Sequence, residues 1–224
     1  MQLGLRFPTF FHILRGCYRG ANDADHEFLR LFAVTTGWLV LLLATAAAIR
    51  ARLRPASIED SGARLWLSWP LLVFQITLFF LGGWLLWRPL PLVFSTELEV
   101  LLVLIASPIY YGGLALYLWG MSSLGESFAP SSARGVRLPI GQELITRGPY
   151  QYVRHPMYLG LIMGAMGASL IFRTWAMLFA AIFSLGLTAR AKREEAMLAT
   201  QFGAEWKAYA TRTPAWLPHF RSDD

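Results

Sequence analysis

Three long apolar runs constrain the fold of this chain more than any other feature of its sequence. They hold at most one charged residue each, and they cover residues 29–49, 65–87 and 98–120. A helix needs about 20 predominantly apolar residues to cross the hydrocarbon core of a bilayer. Each run therefore predicts a membrane-spanning helix, and Pro108 predicts a kink in the third.

The charge content favours a membrane protein over a soluble one. Only 15% of the residues are charged, whereas soluble domains average about 25%. The formal net charge of +6 would suit nucleic acid, but the basic residues flank apolar runs instead of forming a stripe with interleaved aromatic rings. We therefore expect membrane lipids as partners and no nucleic acid.

Two shorter apolar runs follow a polar, proline-rich segment that covers residues 121–156. These runs, residues 157–172 and 175–189, are separated only by Arg173 and Thr174, which predicts a tight helical hairpin. Close helix approach is favoured by small residues at four positions, Gly160, Gly164, Gly167 and Ala168. The sequence thus predicts an all-α integral membrane protein with about five transmembrane helices, three in residues 1–120 and two in a C-terminal region, residues 121–224.

The distribution of lysine and arginine predicts the orientation in the membrane. With five spans and the N-terminus outside, most basic residues fall in the inner segments, which are the loop after the first run, the polar segment and the tail. Cytoplasmic segments carry such an excess of positive charge. We therefore expect a multi-pass protein whose polar segment and tail face the cytoplasm.

The run GPYQYVRHPMYLG at residues 148–160 is the most informative polar stretch. Pro149 and Pro156 restrict the backbone on both sides of it, and Pro156 suits the first turn of the helix that follows. Arg154 and His155 then lie at a helix N-terminus, where amide donors and the helix dipole favour an anion. Two interpretations stay open on these grounds: a site for the carboxylate of a zwitterionic ligand, or a positively charged anchor before a helix-starting proline.

A second charged cluster, RAKREE at residues 190–195, starts the last helix. Arg190 and Glu194 are four residues apart and share a helix face, whereas Arg193 points elsewhere. Such spacing usually reflects an ordinary surface pair, which contributes about 0.3–0.5 kcal/mol. Here the face begins where the apolar hairpin ends, and ionisable groups that face a bundle interior at the membrane edge are candidates for a functional site.

Several common sites are missing from the sequence. It holds no GxGxxG or GxxxxGK[ST] phosphate loop, no HExxH pair and no GxSxG elbow. Cys17 is the only cysteine, which excludes an intramolecular disulfide and a cysteine-based zinc site. The histidines are too scattered to predict a metal site. We therefore expect no Rossmann domain and no metal.

The polar segments fall into an ordered pattern. ELITRGPYQYVRHPMYLG is followed by the short apolar hairpin and then by REEAMLATQFGAEWKAYATRTPAWLPHF. In these parts, over about residues 120 to 220, the chain resembles the isoprenylcysteine carboxyl methyltransferase family of membrane methyltransferases. RHP alone would be unspecific, but RHPMYLG with EEAML, FGAEWKAY and RTPAWLP in this order and spacing is specific. The first three runs match the family only in general character.

The resemblance implies S-adenosylmethionine as the methyl donor, bound in a cytoplasm-facing pocket formed by the polar segment, the hairpin and the last helix. Arg154 would support a donor site lined by Gln142, Leu144, Tyr150, Val153, His155, Tyr158 and Gly160. Arg190 and Glu194 fall where the family places its arginine and glutamate near the methyl-transfer centre. Arg190 would orient the acceptor, and Glu194 would position it or its counter-charge. Glu195 and Tyr209 are weaker candidates.

The resemblance also implies a lipophilic or lipidated acceptor that enters from the bilayer. A prenylcysteine carboxylate is the expected acceptor, since a carboxylate is nucleophilic without a general base. Phospholipid amines and thiols are alternatives within the methyltransferases. Outside them, a sterol-type membrane reductase with a related RHPxYxG pattern would bind NADPH, and a non-enzymatic scaffold would bind no donor. We expect a monomer.

Overall fold

Helices make up most of the part of the chain that the structure describes. The structure is a computed structural model that describes residues 23–52, 74, 77–78, 81–125 and 143–218. A 3-10 helix (Gly148–Gln151) accompanies the α-helices, which are α1 (Asp23–Arg52), α2 (Thr96–Leu124), α3 (Pro156–Phe172), α4 (Trp175–Ser184) and α5 (Leu187–Arg212). Within these residues no sheet forms, and an isolated bridge joins Pro89 and Thr174. The all-helical fold class is thus confirmed for the described part of the chain.

α1 and α2 are long and apolar enough to cross a membrane. The apolar part of α1, Phe28–Arg50, has 23 residues and α2 has 29. At about 1.5 Å per residue, both exceed the hydrocarbon core of roughly 30 Å. Leu42 and Leu104 are more than 60% exposed on these helices, as expected of side chains that contact lipid tails. These helices confirm the first and third predicted runs as helical.

The second predicted run, residues 65–87, lies largely outside the described residues. Its described residues 81–85 are helical. Ser95 caps the N-terminus of α2, and its hydroxyl accepts a hydrogen bond from the Leu98 amide at 3.4 Å. α2 continues as one helix past Pro108 to Leu124. The kink at Pro108 therefore stays a prediction.

The small residues of α3 lie against α2. A Cβ added to Gly160 would lie 2.6 Å from the Gly113 carbonyl oxygen and 2.7 Å from the Tyr117 nitrogen. One added to Gly167 would lie 2.7 Å from the Tyr110 nitrogen. The two backbones are therefore in direct contact, which only the missing side chains allow. The sequence predicted close approach within the hairpin, but the backbone that these positions meet belongs to α2.

The hairpin of α3 and α4 turns at Arg173, and its second helix is shorter than the predicted apolar run. Arg173 takes the left-handed conformation (φ 48°) and lets the chain turn into α4. The predicted run 175–189 is divided, because α4 ends at Ser184 and α5 begins at Leu187. Between them the amides of Leu185 and Gly186 donate three residues back, which tightens the chain. A continuously apolar run carries no periodicity signal for such a division.

The turn between α3 and α4 holds a partly buried ion pair. Arg173 is 5% exposed, and its Nη1 lies 2.8 Å from Oε1 of Glu99 near the start of α2. The Arg173 carbonyl accepts from the Leu90 amide at 2.8 Å, and the Trp175 amide donates to the Arg88 carbonyl at 3.0 Å. The ion pair thus joins the start of α2 to the C-terminal end of α3.

Glu99→Gln should lower the free energy of unfolding by about 2 kcal/mol, because it removes the charge that pairs with the buried Arg173 guanidinium, and partial exposure of Glu99 reduces the cost. Denaturant unfolding of the detergent-solubilised protein measures the change. Glu97→Gln is the matched control, since Glu97 lies in the same first turn of α2 but is exposed. Equal stabilities of the two variants would show that the ion pair contributes nothing.

Candidate active site

The segment around residues 148–156 is shaped by its two prolines. Pro149 lies in the first turn of the 3-10 helix, and Pro156 is the first residue of α3. The amides of Tyr152 and Val153 donate to the Pro149 carbonyl at 3.1 and 3.2 Å, which closes the turn. Since proline has no amide to leave unpaired, it suits these helix starts. Arg154 and His155 are thereby held immediately before α3.

Arg154 and His155 converge on one carboxylate of α5. Glu195 Oε1 lies 2.9 Å from Arg154 Nη2 and 2.9 Å from His155 Nε2. Arg154 Nη1 also donates to the Ala210 carbonyl at 2.8 Å, and its guanidinium lies 5.8 Å from the Trp206 ring centroid. The His155 residue is 5% exposed. α5 is kinked at Gly203 (φ 52°), and these contacts connect the start of α3 to the parts of α5 before and after the kink.

The backbone amides of the same two residues are also engaged. Arg154 N–H donates to the Pro214 carbonyl at 2.9 Å, and His155 N–H donates to the Ala215 carbonyl at 3.2 Å. The sequence interpretation of an anion site relied on free amides at this helix start. These two amides are not free, because the segment after α5 occupies them.

A second set of contacts centres on Tyr158, in the first turn of α3. Its hydroxyl donates to Glu194 Oε2 at 2.7 Å, and the Arg190 guanidinium lies 5.8 Å from the centroid of its ring. The Tyr158 ring also stacks on His155, with centroids 5.7 Å apart and 12° between planes. Tyr158, Arg190 and Glu194 are each half-buried. Like Arg154 and Glu195, they are therefore polar groups of this cluster that stay partly accessible.

Tyr150 and Tyr209 are joined by a hydrogen bond beside these contacts. The Tyr209 hydroxyl of α5 donates to the Tyr150 carbonyl at 2.6 Å. Burial raises the pKa of Tyr209 to about 12, while the nearby charge of Arg154 acts in the opposite direction. Burial, and secondarily the negative charge of Glu194, raises the pKa of Tyr150 well above its usual range. Both hydroxyls thus keep their protons at neutral pH.

The structure assembles part of the predicted residue set. Tyr150, Arg154, His155, Tyr158, Arg190 and Glu194 lie in one cluster through the contacts given above. Val153 is buried, Leu144 is half-buried in the stretch before the 3-10 helix, and the Cβ position of Gly160 is directed at α2. Gln142 lies outside the described residues.

Glu195, Ala210 and Trp216 were underestimated or missed by the sequence. Glu195 was only a weaker candidate, yet it receives both Arg154 and His155. Trp216 lies 5.5 Å from His155 between ring centroids. In the sequence, Glu195 is the second glutamate of EEAML and Trp216 is the tryptophan of RTPAWLP. No sequence signal points to the Ala210 carbonyl. In the part of the chain that the structure describes, no group of three or more His, Cys, Asp or Glu side chains is arranged to hold a metal ion.

Comparison with known proteins identifies the region that carries this cluster. Residues 101–205 match the phospholipid methyltransferase family. The protein-S-isoprenylcysteine O-methyltransferase of Schizosaccharomyces pombe is 32% identical over 77 residues, which are 34% of this chain and 33% of the relative. This region is therefore similar to the phospholipid methyltransferase family and to an isoprenylcysteine methyltransferase. Its family match begins inside α2 and includes α3, α4 and most of α5.

Two bacterial relatives are also similar to the family region. Nickel-cobalt-cadmium resistance protein NccN of Alcaligenes xylosoxydans xylosoxydans is 39% identical over 89 residues, which are 36% of this chain and 40% of the relative. Cobalt-zinc-cadmium resistance protein CzcN of Cupriavidus metallidurans is 36% identical over 77 residues, which are 34% of this chain and 35% of the relative. The matches thus span 33% to 40% of the lengths of these relatives. Together with the apolar α1 and α2, the family match makes this chain a membrane protein.

Proposed function

We propose that this chain transfers a methyl group from S-adenosylmethionine to a lipophilic acceptor at the membrane. Similarity of the matched region to a methyltransferase family supports the reaction class. The observation that carries the proposal is the contact of Tyr158 with Glu194 beneath Arg190, inside the matched region. When bound, the donor supplies an activated methyl group on a positively charged sulfur.

The donor set of the cluster fits such a ligand. S-adenosylmethionine carries a cationic sulfonium and amino group together with a carboxylate. Glu194 offers a half-buried carboxylate for the cationic part of the donor, and the neighbouring Arg190 offers a guanidinium for the carboxylate of an acceptor. Tyr158 adds an aromatic ring between them. Arg154 is already paired with Glu195, so we assign it to support of the pocket.

The state of the candidate bases favours an acceptor that needs no deprotonation. His155 Nε2 is within hydrogen-bond distance of Glu195, and Glu194 accepts from the Tyr158 hydroxyl. Both side chains are therefore engaged within the cluster, and we assign neither as the general base that a thiol or an ammonium acceptor would need. A carboxylate acceptor, as in a prenylcysteine, needs only alignment and exclusion of water. Arg190 is the group that we assign to hold that carboxylate.

The membrane arrangement completes the proposal. The polar segment, the hairpin and α5 would form a pocket that faces the cytoplasm in a multi-pass, monomeric protein of about five spans. The water-soluble donor would enter from the cytoplasm. The lipophilic acceptor would enter from the bilayer, past the N-terminal region of residues 1–120. The exposed apolar side chains of α1 and α2 agree with this side of entry.

Calorimetry with the purified protein tests the donor. We expect S-adenosylhomocysteine to bind and NADPH not to bind. The reverse result would replace the proposal with a membrane reductase, and binding of neither ligand would favour a non-enzymatic scaffold. A methyl-transfer screen with labelled donor against prenylcysteine analogues, lipid extracts and small thiols then identifies the acceptor.

Arg190→Gln should raise the KM for the acceptor and leave the affinity for S-adenosylhomocysteine within about threefold, because Arg190 is assigned to the acceptor. A charge-assisted hydrogen bond contributes about 1.5–3 kcal/mol, so kcat/KM should fall about ten- to a hundredfold. Arg193→Gln is the matched control, since Arg193 is exposed on the same turn of α5. A loss confined to donor affinity would assign Arg190 to the donor instead.

A further inference from the structure

The segment that follows α5 is tied to the loop before α3. We call residues 213–217 the closing strap. Its carbonyls at Pro214 and Ala215 accept from the successive amides of Arg154 and His155. Thr213, at the start of the strap, is 6% exposed. Two hydrogen bonds in sequence, next to a buried residue, fix the register of the strap against this loop.

The strap also supplies an aromatic side chain to His155. The centroid of the Trp216 ring lies 5.5 Å from that of the imidazole, at 34° between planes. The Tyr158 ring stacks on the same imidazole at 5.7 Å, and Glu195 Oε1 lies 2.9 Å from Nε2. Two rings and one carboxylate therefore fix the orientation of His155. Of these partners, Trp216 alone comes from outside the helices.

We infer that Trp216 is a positioning residue: it holds His155 and the stacked Tyr158 in the geometry that binds the methyl donor. The inference rests on the proposed function of the same site. Tyr158 is the residue that contacts Glu194, so a shift of the imidazole passes directly to the ligand-facing group. The donor pocket is then complete only when the closing strap is docked.

The end of α5 is held independently of the Trp216 ring. Tyr209 is anchored to the Tyr150 carbonyl and Arg154 to the Ala210 carbonyl, and both contacts precede the strap. Trp216 is itself only half-buried. Replacing its ring should therefore leave α5 folded and change the affinity for the donor.

The test measures S-adenosylhomocysteine binding by calorimetry on the full chain in detergent, together with the KM of each substrate. A displacement of about 1 Å in an active site can lower the reaction rate about a hundredfold. We expect Trp216→Ala to weaken binding by a similar factor, about ten- to a hundredfold. Trp216→Phe, which keeps an aromatic ring, should stay within about threefold of the unmodified protein. The KM of the acceptor should not change.

Two further variants keep the test decisive. Trp216→Leu preserves apolar volume without a ring and should bind as weakly as Trp216→Ala, so the Phe and Leu pair decides even if the Ala variant does not fold. Trp175→Ala is the control, because Trp175 is an exposed tryptophan at the start of α4, beyond the end of α3 that lies away from Pro156. Unchanged binding in Trp216→Leu, or failure of Trp216→Phe to restore it, would overturn the inference. Absence of binding in the unmodified protein would instead overturn the proposed function.

Discussion

Replacing Glu195 with alanine should weaken the binding of S-adenosylhomocysteine by roughly thirtyfold or more and lower the melting temperature. Glu195 is the carboxylate that both Arg154 and His155 reach at 2.9 Å. Removing one partner of a buried charge pair costs about 3–5 kcal/mol, and partial exposure of Glu195 reduces this to about 2–3 kcal/mol. Since Glu194 is the adjacent residue on α5, release of this end of the helix also displaces the group that faces the ligand.

Calorimetry and thermal unfolding of the same preparations measure both effects. Glu205→Ala is the control, because Glu205 is an exposed glutamate of α5 that lies beyond the kink at Gly203. A double variant with Arg154→Met should be less damaged than the two single changes predict, since the unpaired charge is then also removed. Donor affinity and stability like those of the unmodified protein would show that Glu195 is a surface residue without a role in the site.

The position of Glu195 shows where helix-face reasoning from the sequence stops. Arg190 and Glu194 were paired because they are four residues apart, and the structure brings both of them to Tyr158. Glu195 is rotated by about 100° from Glu194, so the four-residue spacing gave no reason to pair it with Arg190. Glu195 contacts Arg154 and His155 because one face of α5 packs against the loop before α3. The neighbouring face, which carries Glu194, packs against Tyr158. Periodicity within one helix cannot reveal that two different partners approach it.

The closing strap was beyond prediction for a different reason. Its residues have no helical or strand periodicity, and its hydrogen bonds join amides at 154 and 155 to carbonyls about 60 residues later. The family pattern included RTPAWLP but gave no partner for it. Membrane helices are easier, since hydropathy is local: the runs that contain Leu42 and Leu104 became α1 and α2. The start of α3 at Pro156 was equally local, because a proline suits a first turn.

The largest loss of stability is expected from Gly160→Val, because it drives a side chain into the backbone of α2. Even a single Cβ at this position would lie 2.6 Å from the Gly113 carbonyl oxygen and 2.7 Å from the Tyr117 nitrogen. A backbone cannot rotate away as a flexible side chain can, so α2 and α3 must separate. Overpacking of this kind costs about 3 kcal/mol or more. Thermal unfolding in detergent should show a clear drop in melting temperature or a loss of folded protein.

Gly164→Ala, one turn farther along α3, provides the contrast that makes the argument about α2 specific. Its added Cβ would meet only the Leu114 Cδ2 at 3.7 Å, an ordinary van der Waals contact. An alanine in a helix is favoured over glycine by about 0.5–1 kcal/mol, so this variant should be as stable as the unmodified protein or slightly more stable. The paired Gly160→Ala should be destabilised, although the same group is added to the same helix. Equal melting temperatures of the two alanine variants would show that α3 does not pack against α2 through Gly160. The position of Pro156 and of the neighbouring site residues would then need a different packing of α3.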